Sequence, residues 1–132
     1  MLFVIVFLSL FGISTAQESS TSEDQLILSS VLFQSDFKNY LHLDLNDERK
    51  KIFIVKSQIT EELKGFERDG TQIMVASKSD ITGKNYIEIL EFKITQDLAS
   101  IHFFYAIENV EVQAKLLKKG TWSVSDIRII EP

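Results

Sequence analysis

The last third of the chain contains four consecutive runs rich in β-branched and aromatic residues, and these constrain the fold more than any other segment. Short turn sequences separate the runs, and the last of these turns contains glycine. Strand-like runs joined by tight turns pair with their neighbours in sequence, which predicts a four-strand antiparallel meander. The runs are Tyr86–Thr95, Leu98–Glu108, Val110–Lys118 and Thr121–Ile130.

Side-chain alternation assigns the two faces of the second run. Ile101, Phe103 and Tyr105 share one side of an extended chain, and Ile107 continues that pattern. His102 and Phe104 share the opposite side, so both faces carry apolar atoms. Either both faces are packed, or one of them lines a concavity that holds a ligand.

The last run breaks the alternation. In a regular strand, Trp122 and Val124 point to one face. Ile127 and Ile129 would then point to the other. A β-bulge near Ser125–Asp126 would return all four side chains to one face, and we predict such a bulge.

The region before these runs has helical periodicity. Apolar residues between Leu26 and Leu43 recur at steps of three and four, which predicts one amphipathic helix. Ser22 and Gln25 have the spacing of a capping box at its start. The stripe comprises Ile27, Val31, Phe37 and Leu41, flanked by Phe33 and Tyr40.

Between the helix and the meander the elements are short. Ile52–Val55 and Ile73–Ala76 are apolar runs of strand length. Thr60–Lys64 resembles one helical turn opened by a threonine cap and stopped by Gly65. Asp69–Gly70 is a turn signal. The predicted fold is therefore α+β, with an N-terminal amphipathic helix packed on a curved, mostly antiparallel sheet that ends in the four-strand meander.

Residues 1–16 have the pattern of a signal peptide. Leu2–Phe11 is apolar except for Ser9, and small residues up to Ala16 follow it. The run is too short to span a bilayer. We predict cleavage near Ala16, export to the periplasm or the medium, a flexible lead-in over residues 17–25 and a single domain over residues 26–132.

Composition excludes several classes of function. The chain has no cysteine, which excludes a disulfide scaffold, a thiol nucleophile and a cysteine-ligated metal. The net charge of −5 argues against nucleic acid, whose phosphates require a basic face. No motif for a cofactor or a glycine-rich phosphate loop is present, so we predict no cofactor.

Two groups of residues resemble metal sites without matching them. Asp44, Asn46 and Glu48 have the spacing that opens a calcium loop, but arginine and valine occupy the positions that require glycine and a bidentate acid. His42 is interpreted as a helix-terminal residue that complements the helix dipole. We therefore predict no metal site.

The candidate ligand-binding residues lie in and beside the second run. His102 is the central candidate, although a lone histidine in an apolar face is more often a satisfied core residue. A proton-transfer pair would require a carboxylate beside it, and Glu88 or Glu108 is considered for that role. The full set comprises His102, Phe104, Tyr86, Glu88 and Trp122.

The segment Lys119–Ile129 resembles the closing strand of small exported bacterial domains with a nuclear-transport-factor-like or cystatin-like fold. The resemblance lies in the run Gly-Thr-Trp-Ser-Val-Ser-Asp-Ile within it. It implies a strongly bent antiparallel sheet around an N-terminal helix. The family includes enzymes, ligand binders and non-catalytic assembly modules, so it implies no single function.

Three functions remain open at this level. The leading hypothesis is a non-catalytic exported domain that binds a protein partner or a small apolar ligand through its sheet face or a pocket. The first alternative is a small enzyme of the same fold that uses His102 with a nearby glutamate. The second is a secreted inhibitor acting through its loops. Formation of a homodimer through the sheet face or an edge strand is a further hypothesis.

Overall fold

The computed structural model describes residues 22–132. Within them the chain forms two helices and one seven-stranded sheet, so the predicted α+β class is confirmed. The predicted signal peptide and most of the predicted lead-in lie outside the described residues. The helices are α1 (Glu23–Leu32) and α2 (Ser35–Leu41), and the strands are β1 (Lys51–Val55), β2 (Phe66–Arg68), β3 (Thr71–Ala76), β4 (Tyr86–Thr95), β5 (Leu98–Tyr105), β6 (Val110–Lys119) and β7 (Thr121–Ile130).

The strand order in the sheet is β2-β3-β1-β4-β5-β6-β7. Strands β4 to β7 pair consecutively and antiparallel, which confirms the predicted meander. Strand β1 lies parallel to both β3 and β4, and β2 forms an antiparallel hairpin with β3. The sheet is therefore mixed at its β1 end and antiparallel over the meander.

The helical region is one residue pattern divided into two helices. Gln34 interrupts it with extended backbone angles, and its side-chain Oε1 accepts hydrogen bonds from the backbone N–H groups of Asp36 and Phe37. This side-chain cap starts a second helix in a new direction. The predicted capping box at the first helix is confirmed, because Gln25 N–H donates to Ser22 Oγ and Ser22 N–H donates to Gln25 Oε1. Helix α1 thus begins at Glu23, inside the predicted lead-in.

The helices bury the face of the sheet that we call the inner face. Its central side chains and those of the helix stripe are fully buried. Phe37 of α2 makes edge-to-face contacts with Phe103 and Tyr105, at centroid separations of 5.4 and 5.6 Å. These residues fill the space between the two layers. This core between the helices and the sheet comprises Ile27, Leu28, Val31, Leu32, Phe37 and Leu41 from the helices and Ile52, Ile54, Ile73, Ile87, Ile101, Phe103, Tyr105 and Val112 from the sheet.

The predicted bulge in β7 is present. Lys115 lies opposite Asp126 and Leu116 lies opposite Val124, which leaves Ser125 as the extra residue. Trp122 is buried, and Val124, Ile127 and Ile129 pack against the core. A second irregularity occurs in β4 at Leu90. The two bulges keep the apolar residues on the inner face while the strands bend.

Strand β5 ends at Tyr105 rather than at the predicted Glu108. A turn over residues 106–109 follows it, with the N–H of Asn109 donating to the carbonyl of Ala106. Asn109 has a positive φ of 53°, which an extended strand does not allow. Ile107 therefore lies in the turn, where it still packs against the core.

The predicted helical turn at Thr60–Lys64 is not formed. The buried Thr60 hydroxyl accepts the backbone N–H of Ser57 instead of capping the residues that follow it. The segment forms turns that lead into β2, a strand that the sequence pattern did not indicate. Gly65 is required by packing, because a Cβ atom there would lie 2.7 Å from the carbonyl oxygen of Ile73.

Candidate functional site

Four of the five candidate ligand-binding residues lie together on the face of the sheet opposite the helices, which we call the outer face. Tyr86 and Glu88 are on β4, and His102 and Phe104 are on β5. All four are half-buried, and Glu88 lies directly opposite Phe104. The outer face of the meander includes Tyr86, Glu88, Glu91, His102, Phe104, Glu111, Gln113, Lys115, Asp126 and Arg128, together with the exposed apolar residues Leu98 and Ile130.

Trp122 does not join them. It lies on the inner side of β7 and is 7% exposed. Its indole Nε1–H donates to Glu23 Oε2 at 3.2 Å, and Lys118 Nζ donates to the same oxygen at 2.9 Å. Both hydrogen bonds lower the pKa of Glu23. Trp122 therefore anchors the start of α1 to the sheet and is separated from the other candidates by the thickness of the sheet.

His102 has a carboxylate neighbour, but it is neither of the two acids considered from the sequence. Its Nε2 lies 3.2 Å from Glu111 Oε2 on β6. Glu88 forms an ion pair with Lys78, and Glu108 lies in the turn after β5. Alternation places Glu111 on the outer face, but only the β5–β6 register brings it beside His102.

Phe104 is the aromatic centre of this face. In register it lies between Glu88 on β4 and Glu111 on β6. Lys78 Nζ donates to Glu88 Oε1 at 3.1 Å and lies 5.5 Å from the centroid of the Tyr86 ring. The hydrogen bond to Glu88 raises the pKa of Lys78. Charged groups of both signs thus surround a partly exposed phenyl ring.

Beside Phe104 the outer face forms an open groove of about 440 Å³. Its side chains carry both charges and amide groups, so it can hydrogen-bond a polar segment. An imidazole held by a carboxylate is also the geometry of a general base, but here it faces an open, polar groove that does not exclude water. The groove is lined by Glu91, Ser100, His102, Gln113, Lys115, Asp126 and Arg128 among others.

A second polar cluster lies at the end of α2, and its contacts are structural. The guanidinium of Arg49, a residue 6% exposed, donates to the carbonyl oxygens of Leu41 and Tyr40, each at 3.0 Å. It also donates to Glu108 Oε2 at 2.8 Å. His42 ends α2 in a left-handed conformation, as its predicted helix-terminal position requires, with Nε2 3.5 Å from Glu108 Oε1. Arg49 thereby ties the last turn of α2 to the β5–β6 turn.

Asn85, which directly precedes β4, adds further hydrogen bonds to this cluster. Its Nδ2 donates to the carbonyl oxygens of Glu48 and Lys51, at 3.1 and 2.9 Å. Its Oδ1 accepts the hydroxyl proton of Tyr105 at 2.6 Å. Burial raises the pKa of Tyr105 to about 12, an effect that the nearby Arg49 only partly opposes.

The raised pKa of the Tyr105 hydroxyl predicts a loss of stability at alkaline pH. An unfolded tyrosine titrates near pH 10, so between about pH 10 and 12 the native state holds a proton that the unfolded state releases. The free energy of unfolding should fall by about 2–3 kcal/mol over that interval. Urea unfolding at pH 9 and pH 12 measures it. Tyr105→Phe should remove this part of the slope, and an unchanged slope would contradict the assignment.

The polar loop after α2 contains Asp44, Asn46 and Glu48, the residues compared above with a calcium loop. Asn46 Oδ1 accepts the N–H of Arg49 at 3.1 Å and so caps a short 3-10 turn at Asp47–Lys50. Among residues 22–132 no group of three or more metal-ligating side chains comes together. A cleft of about 850 Å³ lies between this loop, the end of α2 and the β2–β3 hairpin and contains Lys38, Lys50, Asp44 and Asp69 among its side chains.

Comparison of the chain with protein-family models, with curated proteins and with solved structures finds no match. The function is therefore argued from the residues of this chain. In the part of the chain that the structure describes, no helix has the length and apolar character needed to cross a membrane.

Proposed function

We propose that this protein is an exported, non-catalytic domain that binds a protein partner through the outer face of its meander. The observation that carries the proposal is the outer face itself. It presents a half-buried phenyl ring, Phe104, between the carboxylates of Glu88 and Glu111. Aromatic centres with a polar rim are typical of protein–protein interfaces.

The choice of a protein over a small apolar ligand rests on the inner layer. Phe37, Phe103 and Tyr105 are fully buried, and Phe37 contacts both of the others where a pocket between helix and sheet would have to open. Sites for small apolar ligands are concave and mostly apolar. The groove beside His102 is instead open and lined by charged and amide groups, which suits a polar protein surface.

The charges of the outer face define the partner further. Glu88 and Glu111 flank Phe104, while Lys115 and Arg128 line the groove beside His102. A complementary surface carries an apolar side chain to cover Phe104 and basic groups to face the two flanking acids. Complementary charges around an aromatic contact set the orientation of the partner and the rate of association.

Export is part of the same proposal and rests on residues 1–16. Their apolar run followed by small residues has the form of a cleaved signal peptide. The absence of cysteine from the chain is compatible with an oxidising compartment, because no thiol is present to be mispaired there.

The test compares a substitution at the half-buried Phe104 with one at the exposed Leu45, in the protein purified from the cells that make it. Phe104→Glu places a third carboxylate between Glu88 and Glu111 and should weaken binding of the partner at least about 10-fold. Leu45→Glu, on a loop residue that is 69% exposed, should leave binding unchanged. Each variant is used as bait on an extract of those cells, and affinity for the retained protein is then measured by calorimetry.

The comparison is interpreted only after circular dichroism shows that both variants are folded. A partner lost with Phe104→Glu and kept with Leu45→Glu supports the proposal. If the wild type and both variants retain the same protein, or if the wild type retains none, the proposal is contradicted. Saturable binding of an anilino-naphthalene dye to the native protein would instead favour a small apolar ligand.

A further inference from the structure

Strand β7 forms one edge of the sheet over its full length. It runs from Thr121 to Ile130 and pairs with β6 on one side. On its other side no strand lies beside it within residues 22–132. The opposite edge of the sheet is β2, which has only three residues. An edge strand as long as β7 presents a row of backbone donors and acceptors that can pair with another strand.

Strand β7 has some of the features that limit such pairing, a bulge and two charged side chains, and lacks others. Monomeric proteins usually blunt a long edge with lysine, proline or a bulge. Strand β7 contains neither lysine nor proline, and its one bulge lies at Ser125. The regular part beyond the bulge, Asp126–Ile130, has exposed side chains at Asp126, Arg128 and Ile130.

The charges on this part of β7 are self-complementary. Asp126 and Arg128 lie on the outer face, one on each side of Ile127. On β6 Asp126 faces Lys115, whereas Arg128 faces the neutral Gln113. Among the described residues Arg128 has no acidic group within 4 Å. Arg128 therefore has the capacity for an ion pair that residues 22–132 do not fill.

We propose that a second copy of this chain pairs with β7 in an antiparallel arrangement centred on Ile127. A two-fold axis through Ile127, perpendicular to the sheet, places each Asp126 opposite the other copy's Arg128 and joins the two sheets edge to edge. Residues directly opposite each other in antiparallel strands approach closely enough for an ion pair. The same symmetry closes the assembly at two copies, because it uses the free edge of each.

This dimer does not require the proposed partner, although Asp126 and Arg128 also line the groove beside His102. It uses the edge of β7 and leaves Phe104 on β5 uncovered, since the two copies meet side by side and not face to face. Joining the sheets sets two outer faces next to each other on one surface. A dimer would therefore present two binding surfaces on the same side of the joined sheet.

Sedimentation velocity of the purified protein and of three charge variants tests the arrangement. The wild type should sediment at twice the monomer mass. Asp126→Arg and Arg128→Asp each place like charges opposite one another, and each should raise the dimer dissociation constant at least about 10-fold. The double variant D126R/R128D exchanges the charges and should restore the dissociation constant to within about 3-fold of the wild type.

The wild type alone can overturn the proposal, whatever the variants do. A monomer at every concentration up to about 1 mM excludes the dimer, because a dissociation constant above that value is weaker than a specific interface of this kind. A dimer that both single variants leave unchanged places the interface elsewhere. A dimer weakened by the single variants and not rescued by the exchange excludes the pairing centred on Ile127.

Discussion

Phe37→Ala is expected to lower the free energy of unfolding by about 3–5 kcal/mol. The side chain is fully buried and contacts Phe103 and Tyr105 across the interface between α2 and the sheet. Its removal leaves a cavity between two rigid layers, and neither layer can close it without losing other contacts. Equilibrium unfolding in urea, monitored by the fluorescence of Trp122, measures the change.

The matched control for this substitution is Leu45→Ala. Leu45 is the most exposed of the large apolar side chains, at 69%, and lies on the loop after α2. Its replacement should change the free energy of unfolding by no more than about 0.5 kcal/mol. Equal effects of the two substitutions would show that α2 does not cover the sheet as described.

Arg49→Met is expected to lower the free energy of unfolding by about 2–4 kcal/mol. Methionine keeps most of the apolar stem but removes every donor. The carbonyl oxygens of Leu41 and Tyr40 then lose their partners at the end of α2, and Glu108 loses its closest cation.

Lys50→Met is the control, because Lys50 is the neighbouring basic residue and is exposed. Its effect should stay within about 0.5 kcal/mol. Thermal unfolding of both variants at the same pH makes the comparison. Should Arg49→Met be as mild as Lys50→Met, the guanidinium would not be the tie between α2 and the β5–β6 turn.

The meander was predictable because it depends on local information. Alternation along β5 and β6 assigns Phe103 and Val112 to the buried side, and tight turns leave only one partner for each strand. The bulge at Ser125 followed from the same rule, since Trp122 and Ile129 fit one face only if a residue is inserted between them. Regular side-chain alternation and short loops therefore made the four-strand meander predictable.

The parts that were wrong depend on contacts distant in sequence or on one side chain. The break at Gln34 arises because its amide caps α2, whereas the apolar spacing continues across it. Thr60 has a favourable cap residue type, but its hydroxyl is buried and bonds back to Ser57. Strand β2 is too short to have its own pattern and is held by β3. Helix and strand propensities are weak against such tertiary contacts.

The candidate site also combines residues that local alternation predicts with contacts that depend on strand register or on distant residues. Alternation placed His102 and Phe104 on one face of β5, and the β4–β5 register adds Tyr86 and Glu88 to that face. Glu111 was missed as the neighbour of His102 because that contact requires the register between strands. Trp122 was also predicted to bind a ligand. Its indole instead contacts Glu23 on α1, and a contact between residues so far apart in the chain has no local sequence signal.

The resemblance of Lys119–Ile129 to exported cone-fold domains stays a prediction. The strand itself is present as β7, closing a bent sheet next to the helices. That arrangement is compatible with many functions, because a fold does not determine what its surface binds.

The most direct test of the account is photo-crosslinking in the cells that produce the protein. Benzoylphenylalanine is introduced either in place of Phe104 on the outer face or in place of Leu26, an exposed residue on α1. We expect a covalent adduct with another protein from position 104 and none from position 26. Adducts from position 26 alone, or from both positions equally, would contradict the claim that the outer face of the meander is the binding surface.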